Sequence, residues 1–111
     1  MSQPDAALVA WCRVAEDHPA LPGHFPGRPI VPGVLVLDAV FQALRDVAAV
    51  APTRLLRAKF VAPVTPGTEV TITLAPRGAG SGRFAFTCRV RETVVAVGEV
   101  ACETPAPMPR P

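Results

Sequence analysis

Half of the residues between His18 and Gly33 are proline or glycine (Pro19, Pro22, Gly23, Pro26, Gly27, Pro29, Pro32 and Gly33), whereas Val34 to Ala51 contains neither. Proline lacks the N–H that a helix needs and its ring clashes with the preceding turn, so the first stretch reads as a rigid loop. The second, VLVLDAVFQALRDVAAVA, is long enough for a helix rather than a strand and is apolar nearly all round. That is the pattern of a helix wrapped by the rest of its protein. The chain must therefore deliver a stiff loop directly to the start of a buried helix.

The remaining segments read as strands. Residues 6 to 14 (AALVAWCRV) form a β-capable run ahead of the loop. After the helix come LLRAKFVAPV from Leu55, a turn at Pro66-Gly67, TEVTITLAP, a glycine-rich turn at 78 to 82, RFAFTCRVRE and VVAVGEVACE. In the third of these, Phe84, Phe86, Cys88 and Val90 alternate with Arg83, Thr87, Arg89 and Arg91, giving one buried and one wet face. The expected fold class is α+β: one antiparallel sheet wrapped around one long central helix. Residues 1–104 are expected to form a single domain and the Pro-rich segment 105–111 an extended, mobile tail.

With 111 residues, half of them hydrophobic and 18% charged, the chain carries more apolar surface than so small a domain buries alone, which points to a partner chain or an acyl ligand. A net charge of +2, one Trp, no Tyr and no basic run argue against nucleic-acid binding. Cys12, Cys88 and Cys102 are isolated thiols with no CxxC pair, expected as core residues of a cytoplasmic protein. The most apolar stretch, 34 to 44, is interrupted by Asp38 and Gln42, so neither a membrane span nor a signal peptide is expected.

Chemistry concentrates between residues 24 and 42. His24 sits in the rigid loop, a setting that pre-positions a side chain. Gly33, at the helix start, offers a backbone N–H at the positive end of the helix dipole, a donor for a developing oxyanion. Asp38 follows among Leu35, Leu37, Ala39 and Val40, where desolvation is expected to raise its pKa and keep it protonated. Gln42, four residues on, is placed to hydrogen-bond it. A raised-pKa carboxyl beside a rigid histidine is an acid/base pair in outline. Blander readings stand beside this one: a structural loop histidine, a satisfied Asp38–Gln42 core pair, or an Asp38–Arg45 ion pair.

The run HFPGRPIVPGVLVLDAVFQ resembles the signature of the β-hydroxyacyl-acyl carrier protein dehydratases: His-Phe-x-Gly, Pro-Gly, Asp or Glu, then Gln. A looser likeness covers Lys59-Phe60, Ala62-Pro63-Val64 and Pro66-Gly67. The resemblance implies a hot-dog fold and a cofactor-free, metal-free elimination of water giving a trans-2-enoyl thioester. In that reaction His24 removes the C2 proton, Gly33 N–H polarises the thioester carbonyl, and Asp38, oriented by Gln42, protonates the departing hydroxyl. It further implies acyl carrier protein as partner and a homodimer whose active sites are shared between subunits. In its short length and early first strand the chain is similar to the trimmed dehydratases of aryl polyene biosynthesis. Two alternatives are a hot-dog acyl thioesterase and a catalytically silent hot-dog subunit that binds acyl carrier protein or pairs with an active homologue.

Weaker candidates complete the reading. His18 is expected as a turn residue. Arg28, Arg45, Arg54, Arg57 and Lys59 are placed either to meet a phosphopantetheine phosphate or acidic carrier, or to be solvated strand-edge charges. Leu35, Phe41, Phe60, Phe84 and Phe86 are expected chiefly in core packing, with an acyl tunnel as the other use.

Overall fold

A computed structural model describes residues 7–16, 30–78 and 80–103. Its elements run β1 (Leu8–Arg13), α1 (Gly33–Val47), β2 (Ala51–Phe60), β3 (Glu69–Arg77), β4 (Arg83–Val90) and β5 (Thr93–Glu103). The strands form one antiparallel sheet in the order β1-β3-β4-β5-β2. β3, β4 and β5 are joined by short turns, whereas β2, which follows the helix, is placed on the far side of β5. The Gly-rich turn expected at 78 to 82 connects β3 to β4, with Gly78, Gly80 and Gly82 all at positive φ. Glycine adopts that conformation at little steric cost.

One face of the sheet carries Val70, Ile72, Leu74, Phe86, Cys88, Ala96 and Val100, all buried beneath α1. The helix contributes Val36, Val40, Ala43 and Leu44 to the same core. Each buried valine, leucine or isoleucine among them contributes on the order of 2 kcal/mol of transfer free energy. Gly98 on β5 lets the aromatic ring of Phe86 lie against the strand, since a Cβ there would stand 2.5 Å from Phe86 Cζ. The opposite face holds the residues between: Val9, Trp11 and Arg13 on β1, Thr71 and Thr73 on β3, Thr87 on β4 and Glu99 on β5, with Trp11 62% exposed.

Three expectations need correction. The helix ends at Val47 rather than continuing towards Pro52, because Ala49 turns the backbone to φ 56 and Val50 N–H closes back on Leu44 O at 3.2 Å. β2 then begins at Ala51 and includes Pro52, four residues ahead of the expected start. Proline is tolerated there because β2 is an edge strand, and the pairing with β5 shifts register between Pro52 and Arg54. Nor is the helix wrapped all round. Only the stripe that meets the sheet is buried, while Val34, Asp38, Gln42, Arg45, Asp46 and Val47 are exposed, because within one chain the sheet covers the helix from one side only. The segment 105–111 lies outside the described residues.

Candidate active site

The first turn of α1 brings no side-chain acceptor of its own to its leading N–H groups. Its N-cap is Pro32, whose side chain makes no capping bond, and the first turn contains no acidic residue. The leading N–H groups of a helix have no intrahelical acceptor, and here the dipole's positive end is left uncompensated by any side chain of that turn. Val31 N–H donates to Val64 O at 2.7 Å, which pins the end of the preceding loop to the segment after β2. Between them lies a cavity of about 460 Å³ whose lining includes Val31, Pro32, Gly33, Val36, Phe60 and Val95. The ring of Phe60 stands directly over Gly33: a Cβ at Gly33 would lie 2.8 Å from Phe60 Cζ and 3.0 Å from Cε2. A side chain at position 33 would have to push the Phe60 ring aside.

Asp38 opens into a different space. Together with Val34, Leu37, Phe41 and Arg45 of the helix, and with Pro52, Thr53, Arg54 and Leu55 of β2, it lines a cavity of about 390 Å³. Five residues of helix separate it from Gly33, a rise of about 7.5 Å and a rotation of about 140°. One chain therefore presents Gly33 and Asp38 to opposite sides of the helix. Asp38 is exposed in the single chain, so the apolar residues that flank it in sequence do not bury it, although Leu37 lines the same cavity. Gln42 does not bond to Asp38 either. Its Nε2 donates to Asp46 Oδ1 at 3.0 Å, the next carboxylate along the same exposed stripe. Asp38 makes no salt bridge among the described residues, so it does not pair with Arg45. His24, His18 and Arg28 lie outside the described residues.

Comparison with known proteins decides the family. The model of the ApeI-like dehydratases matches residues 1–99. The chain belongs to that family. It is 40% identical over 83 residues to the FabZ 3-hydroxyacyl-[acyl-carrier-protein] dehydratase of Anaeromyxobacter sp. (strain Fw109-5), covering 63% of this chain and 52% of that one. It is 35% identical over 109 residues to FabZ of Sodalis glossinidius, covering 86% of this chain and 68% of the relative. It thus spans about half to two thirds of the length of these curated relatives. Among solved structures, the dehydratase heterocomplex ApeI:P of Xenorhabdus doucetiae superimposes with a TM-score of 0.73 at 18% identity, covering 92% of both chains. The hot-dog fold and the dehydratase class implied by the sequence motif are those of the family.

Other polar and reactive groups lie elsewhere in the fold. On the sheet face away from the helix, Glu99 is buried, with Arg57 Nη1 at 3.8 Å, Arg77 Nε at 3.7 Å and Arg83 Nη1 at 3.6 Å. Its Oε2 accepts no hydrogen bond among the described residues. Sequence reading missed this cluster; the available signal was an acid, Glu99, inside the apolar run 94–102 of β5. Cys88 and Cys102 are buried and Cys12 half-buried, all free. Burial pushes all three thiols up, Cys88 to about 12 with a further contribution from Cys12. They are packing residues, not nucleophiles. Phe86 is fully buried and Phe84 partly buried against the core, whereas Phe41 and Phe60 line the two cavities. No helix among the described residues is long and apolar enough to cross a membrane.

Proposed function

We propose that the chain dehydrates a β-hydroxyacyl thioester presented by acyl carrier protein, in a homodimer whose active sites form between subunits. His24 takes the C2 proton, the N–H at Gly33 stabilises the charge that develops on the thioester oxygen, and Asp38 gives a proton to the C3 hydroxyl, which leaves as water. The products are a trans-2-enoyl thioester and water, so the atoms balance without a redox partner. A thioester α-proton is far less acidic than imidazolium, and a donor aimed at the oxyanion is what makes such a base sufficient.

The observation that carries this reading is the position of the two cavities along β2. The Asp38 cavity uses the start of the strand, Pro52 to Leu55, and the Gly33 cavity uses its end, at Phe60 and Val61. β2 is the sheet's edge, with Leu55, Phe60 and Val61 exposed along or just beyond it. Pairing β2 antiparallel with a second copy about Leu56 sets Pro52 of one beside Phe60 of the other. Each half-site is then completed by the opposite half-site of the partner, and the exposed helix stripe bearing Asp38 is covered. An isologous two-fold contact of this kind closes on itself and gives two equivalent sites. The ApeI:P heterocomplex supports the family's use of paired chains.

The test is to incubate the purified protein with a β-hydroxyacyl thioester on acyl carrier protein and follow the mass of the carrier species. Loss of one water is the expected outcome. Release of free acid would instead establish a thioesterase, and an unchanged mass a silent subunit.

A further inference from the structure

Among the described residues, Phe60 is set apart from the buried core. It is the last residue of an edge strand and remains 49% exposed. Its cross-strand partner is Ala96, too small to hold a ring. Just beyond it the chain bends, with Val61 N–H and Ala62 N–H both donating to Val95 O. The strand is thereby held at the point where the aromatic side chain leaves it. That side chain leans over the first residue of α1 so closely that three of its ring atoms fall within 2.8 to 3.1 Å of where a Cβ of Gly33 would be. The cavity behind it is otherwise aliphatic, with Val31, Val36, Val64 and Val95 in its walls.

We propose that Phe60 is a positioning residue that keeps water away from the Gly33 N–H, so that the donor stays free and strong until a thioester oxygen arrives. The inference rests on the oxyanion role of Gly33 proposed above. A hydrogen bond to a developing charge gains strength where bulk water is excluded, and a donor already solvated must first give up its water. An aromatic ring is suited to the task because it covers one side of a peptide unit without offering a competing acceptor in its plane. Glycine and ring act together: the first admits the second, and the second dries the first.

The experiment compares wild type with Phe60→Ala, Phe60→Val and Phe60→Leu. Two readouts are taken: dehydration kinetics, and the infrared carbonyl band of bound ¹³C-labelled butyryl-pantetheine, which has the thioester but no hydroxyl to lose. Loss of an entire oxyanion donor costs about 10²–10³ in kcat. For Phe60→Ala and Phe60→Val, which expose the donor without deleting it, kcat is expected to fall about tenfold with KM changed less than about threefold. The carbonyl band, displaced to lower frequency in wild type, should return most of the way to its position in water. Phe60→Leu, which retains bulk over Gly33, should rescue both readouts. Because Phe60 also lies on the edge proposed to pair between subunits, the kinetics are compared at a protein concentration where each variant is verified as a folded dimer. Wild-type kcat and carbonyl shift in both the Ala and Val variants would overturn the role of Phe60 while leaving the dehydration intact. A wild-type protein that dehydrates but shows no carbonyl displacement would overturn the Gly33 donor itself, and Phe60 with it.

Discussion

The cluster around Glu99 makes an asymmetric demand on stability. Three guanidinium nitrogens stand 3.6 to 3.8 Å from a carboxylate whose side chain is 9% exposed, while the arginines are 50 to 67% exposed. At such separations each pair has a Coulomb energy of about 4 kcal/mol in an effective dielectric of 20, falling to about 1 kcal/mol in water. The arginines sit towards the wet limit, so removing any one should cost only about 0.5–1 kcal/mol. Changing all three to Gln strands a buried carboxylate and should cost about 3–5 kcal/mol. Glu99→Gln leaves three cations that water can solvate and removes the cost of burying a charge, so it should cost no more than about 1 kcal/mol. Added to the triple Arg→Gln background, Glu99→Gln should recover most of the loss. Urea unfolding at one fixed protein concentration reads these differences, since a dimer's apparent stability depends on concentration. If Glu99→Gln is as damaging as the triple variant, the carboxylate is not the strained partner and the reasoning fails.

Three further outcomes are expected. His24→Ala and Asp38→Asn should each lower turnover by about 10²-fold or more, and Asp38→Asn should leave the melting temperature nearly unchanged because Asn keeps the shape of a side chain that makes no salt bridge among the described residues; a large stability loss with activity retained would make it structural. Co-refolding His24→Ala with Asp38→Ala should restore about a quarter of wild-type activity, since random pairing makes half the dimers mixed with one intact site in two; verified mixed dimers without activity would refute the shared site. The Cys88 thiol, raised from 9.0 to about 12 by burial and by Cys12, stabilises the fold below its unfolded value and loses that contribution as pH rises towards 12, at about 1.4 kcal/mol per pH unit. Wild type should therefore lose on the order of 1 kcal/mol between pH 9 and pH 10 by denaturant titration, and Cys88→Ala should show a flatter slope.

Much of this architecture was legible in the sequence because its punctuation is strong. Pro32 and Gly33 mark the helix start at the residue where it occurs, and the alternation around Phe84, Phe86 and Cys88 marks β4 and its buried face. The helix end was not legible, since Ala48 and Ala49 carry no breaker and Ala49 takes a left-handed φ that glycine or asparagine would have signalled. The residues Gly33 and Asp38 were recognisable, but not their separation. Neighbours in sequence along a helix do not share a face, so the apolar company of Asp38 in the string becomes solvent and an open cavity in the fold. Gln42 shows the same limit: i+4 spacing holds equally well towards Asp46, which is the partner it takes. The seat of Phe60 over Gly33 joins residues 27 positions apart, and no periodicity carries such a contact.

The open margin of β2 also carries its own protection against misassembly. Its cations are Arg54, Arg57 and Lys59. In the antiparallel pairing about Leu56 they fall opposite Ala58, Leu55 and Thr53 of the second copy, so no two like charges meet. Stacking the same strands parallel and in register, as fibrils do, would set Arg54 on Arg54, Arg57 on Arg57 and Lys59 on Lys59 at a spacing of about 4.8 Å, repeated at every layer. The same sticky strip that invites one neighbour is thus written to reject an endless column of them. Neutralising those three positions should leave pairing possible while shortening the lag before aggregation on mild heating.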